Sequence, residues 1–223
     1  CTVVMPETSA QVKIDAVRGF GATVDLIDTK KVGRNERVAE LAAQMPDAYH
    51  ASAYDDEWVI AGNSTLGDEL AGQGFDVVLV PVGGGGLISG VVTGLCRNGD
   101  LAEVYGAEPL LGNDATRSFR EGRLIPNETE PMTLADGART ISLGNLNWPI
   151  IRDGVKDFIE VSDEKIAEAV RLYYALANLK SEPTGALTLG ALLEQPERFA
   201  GKKICLIVSG GNVDPAVYCS LLG

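Results

Sequence analysis

Across residues 75–94 an apolar strand-length run passes through four consecutive glycines into a helix-length stretch, and few architectures accommodate that order. Val77, Val78, Leu79, Val80 and Val82 are nearly continuous, with none of the polar alternation of a half-solvated strand. Such a run fits a central strand of a parallel sheet, covered on both faces. Gly83, Gly84, Gly85 and Gly86 follow directly, and Leu87, Ile88 and Ser89 open the helix. Residues without a Cβ let backbone N–H groups converge and permit positive φ. A helix N-terminus adds N–H groups with no carbonyl partner and a partial positive charge. Together these make an anion cradle at the carboxyl end of a strand, the usual place for a phosphate in such a sheet. Four glycines in a row exceed what a tight turn requires. No Lys-Ser/Thr pair follows, so the run is not a P-loop, and the acid nearest the end of the next strand, Glu108, precedes Pro109. The dinucleotide fingerprint is therefore weak.

Strand-length apolar runs alternate with amphipathic stretches along the rest of the chain. Strands are expected at residues 2–5, 23–27, 75–82, 103–107 and 203–208, with a short one at 48–51. Helices are expected at 9–20, 34–44, 55–70, 87–97, 113–120, 164–176, 185–194 and 214–222, from apolar positions recurring at helical spacing. Gly21 supplies a helix stop, while Asp214 and Pro215 suit the start of the last helix. Residues 124–153 carry little periodicity and read as loop-rich. The pattern is α/β: a mainly parallel twisted sheet with helices on both faces. A boundary near residue 50 divides a small βαβα piece, 1–50, from a large domain, 51–223.

Acidic residues number 31 against 19 basic ones, a net charge of −12, so nothing draws this chain to nucleic acid or to an anionic membrane surface. Its longest apolar runs are strand-length, too short to span a bilayer. Cys1, Cys96, Cys205 and Cys219 show no CxxC or ligand spacing. Cys96 and Cys205 lie in apolar stretches and are expected to be buried. Reduced thiols in a cytoplasmic protein are the expectation. The lone His50 stands at the end of an expected strand and reads as structural.

Several segments now converge. Val4-Met5-Pro6-Glu7-Thr8 with Lys13, Asp55-Asp56 with Val59-Ile60-Ala61-Gly62, residues 80–86, Gly106-Ala107-Glu108-Pro109 and Ala135-Asp136-Gly137 form one set. Residues 148–153, Ser181-Glu182-Pro183-Thr184-Gly185-Ala186 and Val208-Ser209-Gly210-Gly211-Asn212-Val213-Asp214 form another. In this order the chain resembles the fold-type II pyridoxal phosphate enzymes, within them the serine/threonine dehydratase and serine racemase group. The glycine loop and the Ser209 motif together are the specific part. The resemblance implies a tryptophan synthase β-like large domain plus part of a small one. It implies that Gly83, Gly84, Gly85, Gly86 and Leu87 hold the phosphate of pyridoxal 5'-phosphate. Ser209, with Gly210, would meet the pyridine nitrogen, and Glu182 would stand near the ring. A hydroxyl at that nitrogen leaves it largely neutral, which suits elimination or racemisation. Glu182 also fits the plainer role of an acid at a helix N-terminus.

Glu108, Gly112 and Asp114 place two carboxylates around a backbone carbonyl, a donor set for Mg²⁺ or Ca²⁺. Relatives of the racemase and dehydratase kind carry a divalent metal at the matching positions. The alternative is an acidic loop with Asp114 capping a helix. The implied activity is that of an ammonia-lyase turning L-serine, L-threonine or a related hydroxy amino acid into a 2-oxo acid and ammonia. A racemase and a non-catalytic remnant of the fold are the alternatives. The implied assembly is a homodimer.

The resemblance also calls for a Schiff-base lysine in a Ser-x-Lys-x-Arg-Gly context. None of Lys13, Lys30, Lys31, Lys156, Lys165, Lys180, Lys202 and Lys203 has it. A Ser-Ser-Gly-Asn-type loop for the substrate carboxylate is likewise missing, and both lie upstream in the group. The chain opens without Met inside the apolar run Thr2-Val3-Val4-Met5, so a missing N-terminal segment is expected. Gly62-Asn63-Ser64-Thr65 stands where the group carries Gly-Gln-Gly-Thr.

Overall fold

The computed structural model describes residues 1–223, in two compact units: residues 1–51 with 212–220, and residues 52–211 with 221–223. In the first unit β1 (Thr2–Pro6) and β2 (Thr23–Ile27) pair in parallel, Thr2 against Thr23 through Pro6 against Ile27. Their connection is α1 (Gln11–Gly19), and α2 (Arg34–Gln44) follows. Beyond α1, Gly21 takes a φ of +83°, which an L side chain adopts only with strain. Asp214 has a different task from the one expected. Its carboxylate accepts the N–H groups of Gln11 (3.2 Å) and Val12 (2.9 Å), so it caps α1 across 203 positions of sequence. No strand forms at 48–51: residues 48–51 are exposed, and an isolated apolar run gains nothing by extending without an edge to join.

The second unit begins with α3 (Glu57–Leu70), β3 (Val77–Pro81), α4 (Gly86–Arg97) and β4 (Glu103–Pro109). It continues through α5 (Asp114–Glu121), α6 (Asn147–Gly154), β5 (Asp157–Val161), α7 (Asp163–Ala177), α8 (Pro183–Glu194) and β6 (Ile204–Leu206); α9 (Pro215–Leu222), most of which belongs to the first unit, closes the chain. The strands lie in the order β5-β4-β3-β6, every neighbour parallel. Alternate side chains of β3 serve two cores. Val78, Val80 and Val82 pack with Ile88, Val91 and Leu95 of α4 and Ile151 of α6. Val77 and Leu79 pack with Ile166 of α7 and Leu187 and Ala191 of α8. The period of two in a strand, with helices on both faces, is why the run shows no polar residue. Each such side chain taken fully from water contributes about 1.5–3 kcal/mol, so β3 anchors whatever its carboxyl end carries.

Glycines bring α3 and α4 unusually close. A Cβ on Gly94 would stand 2.7 Å from the Cα of Gly67 and 2.8 Å from the amide nitrogen of Asp68. This contact fixes α4, and with it the loop at its start.

Three sequence expectations need correction. The stretch 124–153 is not all loop, because α6 begins at Asn147. Pro149 sits in its first turn, where a missing N–H costs nothing. Its start is capped from afar: the Asp55 carboxylate accepts from the N–H groups of Asn145 (3.0 Å) and Leu146 (2.8 Å). The strand β5 was also not expected. It is an edge strand whose Glu160 turns out to Asn113 (2.6 Å) and Arg120 (3.0 Å), which breaks the apolar pattern. Finally, Cys96 is exposed and Cys205 half-buried, all four thiols being free.

Candidate functional site

Strand β3 delivers its carboxyl end to the four glycines, and α4 starts immediately after them. Gly85 is the residue before the first helical position, at φ +93° and ψ −2°, a conformation that calls for glycine. The other glycines are closed in by particular neighbours. A Cβ on Gly83 would meet the Gly137 carbonyl oxygen at 3.1 Å and the Ala138 Cα at 3.2 Å. The ring of Tyr54 lies across the place where a Gly84 side chain would start, and the Tyr54 carbonyl oxygen would be 2.9 Å from a Cβ on Gly86. Gly84, Gly85 and Gly86 are buried, whereas Gly83 and Leu87 are partly open. The N–H of Ser89 makes the first turn's bond, to the Gly85 carbonyl (3.0 Å). The amides of Gly86, Leu87 and Ile88 therefore have no carbonyl one turn back and remain available as anion donors.

Ser209 reaches the same edge of the sheet from β6. The pairing Val77↔Ile204 through Leu79↔Leu206 is carried on by Ile207, whose N–H donates to the Leu79 carbonyl (3.0 Å). Ser209 follows two residues after Ile207, beyond the end of β6. Ser209 is exposed. Gly210 lies against the start of α8: the Glu182 N–H donates to its carbonyl (3.0 Å), and a Cβ there would stand 2.7 Å from Glu182 Oε1. Thr184 completes the arc, its Oγ1 accepting the Gly137 N–H (2.9 Å) beside Gly83. Residues 83–87, 137, 182–184 and 209–210 thus gather at the carboxyl ends of β3 and β6. His50 is not among them; it is exposed in the first unit.

Asn147 was passed over by the sequence reading and is fully buried. Its Nδ2 donates to the carbonyls of Tyr54 (2.9 Å) and Gly84 (3.0 Å). The only sequence signal was its place just before Trp148-Pro149.

The structure brings Glu108, Gly112 and Asp114 together and buries all three. Both Glu108 oxygens accept backbone N–H groups of α5, from Ala115 (3.1 Å) and Thr116 (2.5 Å). The oxygens of Asp114 accept from Asn127 Nδ2 (3.0 Å) and the Leu143 N–H (3.0 Å). All four oxygens therefore have protein donors, and Glu108 rather than Asp114 caps α5. Burial, and then the neighbouring Asp114, push the Glu108 carboxyl up to about 8, against the helix amides that favour its charged form. Burial pushes Asp114 up to about 7. No group of three or more His, Cys, Asp or Glu side chains is placed to hold a metal.

Comparison with known proteins agrees with this geometry. Residues 1–210 match the family described as "Pyridoxal-phosphate dependent enzyme". The chain is 38% identical over 224 residues to an L-threo-3-hydroxyaspartate ammonia-lyase of Pseudomonas sp, covering 99% of the chain and 69% of that protein. It is 36% identical to a serine racemase of Schizosaccharomyces pombe, covering 99% of the chain and 68% of that protein. Among solved structures, maize serine racemase superposes with a TM-score of 0.89 at 31% identity, over 98% of this chain and 68% of that one.

Proposed function

The chain belongs to the pyridoxal-phosphate dependent enzyme family, and on that premise we propose that it is the cofactor-binding part of an ammonia-lyase that converts a small hydroxy amino acid to a 2-oxo acid and ammonia. The observation that carries the reading is the tetraglycine turn at the head of α4 beside β6, the parallel neighbour of β3 whose chain runs on to Ser209 three residues later. The residues fit the group: the glycines leave no room for side chains, and the first amides of α4 have no carbonyl one turn back. When bound, pyridoxal phosphate supplies the electron sink that stabilises negative charge at the α-carbon of an amino acid. The amides of residues 83–87 would hold its phosphate. The Ser209 hydroxyl would meet the pyridine nitrogen without giving it a full charge partner, and Glu182 and Gly210 would stand near the ring. The ring of Tyr54 packs against Gly84.

The base that moves the α-proton is assigned to a lysine outside residues 1–223, since no lysine here has the family's context. Racemisation is the alternative reading, favoured by the likeness to serine racemases. It shares the proton removal and adds a second base on the opposite face. In this proposal Glu108, Asp114 and the Gly112 carbonyl take up Mg²⁺ or Ca²⁺, as hard oxygen donors do. The working protein is read as a cytoplasmic homodimer; the free thiols support the first, and no helix is long and apolar enough to cross a membrane.

The test uses the polypeptide that carries the lysine segment, with L-serine, L-threonine and 3-hydroxyaspartate. The expected result is ammonia and 2-oxo acid in equal amounts, dependent on added pyridoxal phosphate and lost in Ser209→Asp. Inverted amino acid without ammonia would replace the lyase reading by the racemase one. Activity indifferent to the cofactor would refute both.

A further inference from the structure

A loop of four glycines is a poor binding device unless something decides which way its peptides face. In a planar trans peptide the C=O and the following N–H point to opposite sides. Between two glycines such a unit can turn over with no Cβ clash at either end. A Gly84–Gly85 peptide free to do so would offer an anion either a donor or a repelling carbonyl, and would lose that freedom on binding.

The structure removes the choice. The Gly84 carbonyl accepts two hydrogen bonds, from the Gly144 N–H (3.0 Å) and from Asn147 Nδ2 (3.0 Å). The same Nδ2 holds the carbonyl of Tyr54 (2.9 Å), the residue whose ring covers Gly84. Asn147 is itself set by α6, and the Ser89 hydroxyl of α4 lies 3.5 Å from its carbonyl. Its Oδ1 is buried without a hydrogen-bond partner. A buried acceptor left unmatched is destabilising. The residue is therefore retained for what its amide donates.

We infer that Asn147 is a positioning residue for the phosphate: by holding the Gly84 carbonyl toward α6 it turns the Gly85 N–H to the opposite, open side of the loop. The inference rests on the cofactor reading above and adds the residue that pre-organises its anion site. Asn147 touches neither phosphate nor ring; it acts through the peptide.

The experiment compares pyridoxine 5'-phosphate with pyridoxine, neither of which can bond covalently to a lysine, on the full chain and on Asn147→Leu, a variant of similar volume without a donor. In the parent chain the phosphate-bearing probe binds more tightly. In Asn147→Leu that preference falls by about tenfold or more, the worth of one well-placed donor to an anion, while pyridoxine affinity stays within about twofold. General damage to the fold would weaken both probes alike. An unchanged preference in the variant overturns the inference. Equal affinity for both probes in the parent chain overturns the cofactor reading instead. A second measurement is independent of whether the variant folds. In the parent chain without ligand, the Gly85 amide should show one sharp resonance with an order parameter of about 0.85, and a value below about 0.6 or exchange broadening overturns the inference.

Discussion

Replacing Gly85 by alanine adds a single methyl group at the most constrained point of the loop. Gly85 stands at φ +93°, and placing an L residue there costs roughly 1–2 kcal/mol in backbone strain. The new Cβ would lie 2.8 Å from Ile151 Cδ1, 3.1 Å from Leu143 Cδ2 and 3.2 Å from Asn147 Cβ. Ile151 and Asn147 are fully buried and cannot step aside into solvent, so overpacking adds about 1–3 kcal/mol. Alanine stiffens the unfolded chain and returns about 0.4–1 kcal/mol. The net loss is about 1–5 kcal/mol. Urea unfolding followed by circular dichroism, with unchanged slope, measures it. Gly99→Ala is the control: Gly99 is also at positive φ (+66°), but no atom lies within 4 Å of its added Cβ. It should lose about 1 kcal/mol, the strain alone. If Gly85→Ala lost no more than Gly99→Ala, the claim that α6 closes down on the loop would be wrong.

Other perturbations test separate parts of the account. Gly94→Ala drives a Cβ onto the backbone of α3, 2.7 Å from the Gly67 Cα, and should cost about 3 kcal/mol or more, read from the same urea curves; a neutral result would deny the close α3–α4 contact. Glu103 is held down to about 2 by hydrogen bonds from Lys202 and then Lys156. Because its folded pKa lies below its ordinary 4.5, its contribution is present above about pH 4.5 and disappears as pH falls through about 2. The stability difference between the parent chain and Glu103→Gln should therefore vanish toward pH 2 and shrink in 1 M salt, roughly where the screening length drops to 3 Å. A difference independent of both would assign the effect to packing. For the proposed cation, millimolar Mg²⁺ or Ca²⁺ should raise the melting temperature of the parent chain and leave Asp114→Ala unmoved; equal shifts would remove that site.

The loop was legible because its cause is local. A strand buried on both faces must be apolar throughout, and a turn whose neighbours stand where Cβ atoms would be must be glycine. The order of motifs pointed to Ser209 as its companion, and β6, which leads to it, pairs with β3. What escaped depends on partners distant in sequence. Asp214 looked like a cap for its own helix and caps α1 instead. The start of α6 was invisible because its capping acid, Asp55, lies 90 residues before Asn145. Asn147 carries no local signature, since its meaning lies in two carbonyls more than 60 positions away. The acids Glu108 and Asp114 show the limit of spacing: seven residues can frame a cation or tie down a helix, and here their oxygens are seen on protein amides.

The most direct measurement is an amide NMR titration of the chain with pyridoxine 5'-phosphate and, separately, with inorganic phosphate. The account predicts that the phosphorylated vitamer shifts two clusters, residues 83–87 and residues 209–210, and that inorganic phosphate shifts the first alone. Resonances of residues 83–87 that stay still under both ligands, or vitamer-induced changes that leave out Ser209, would contradict it.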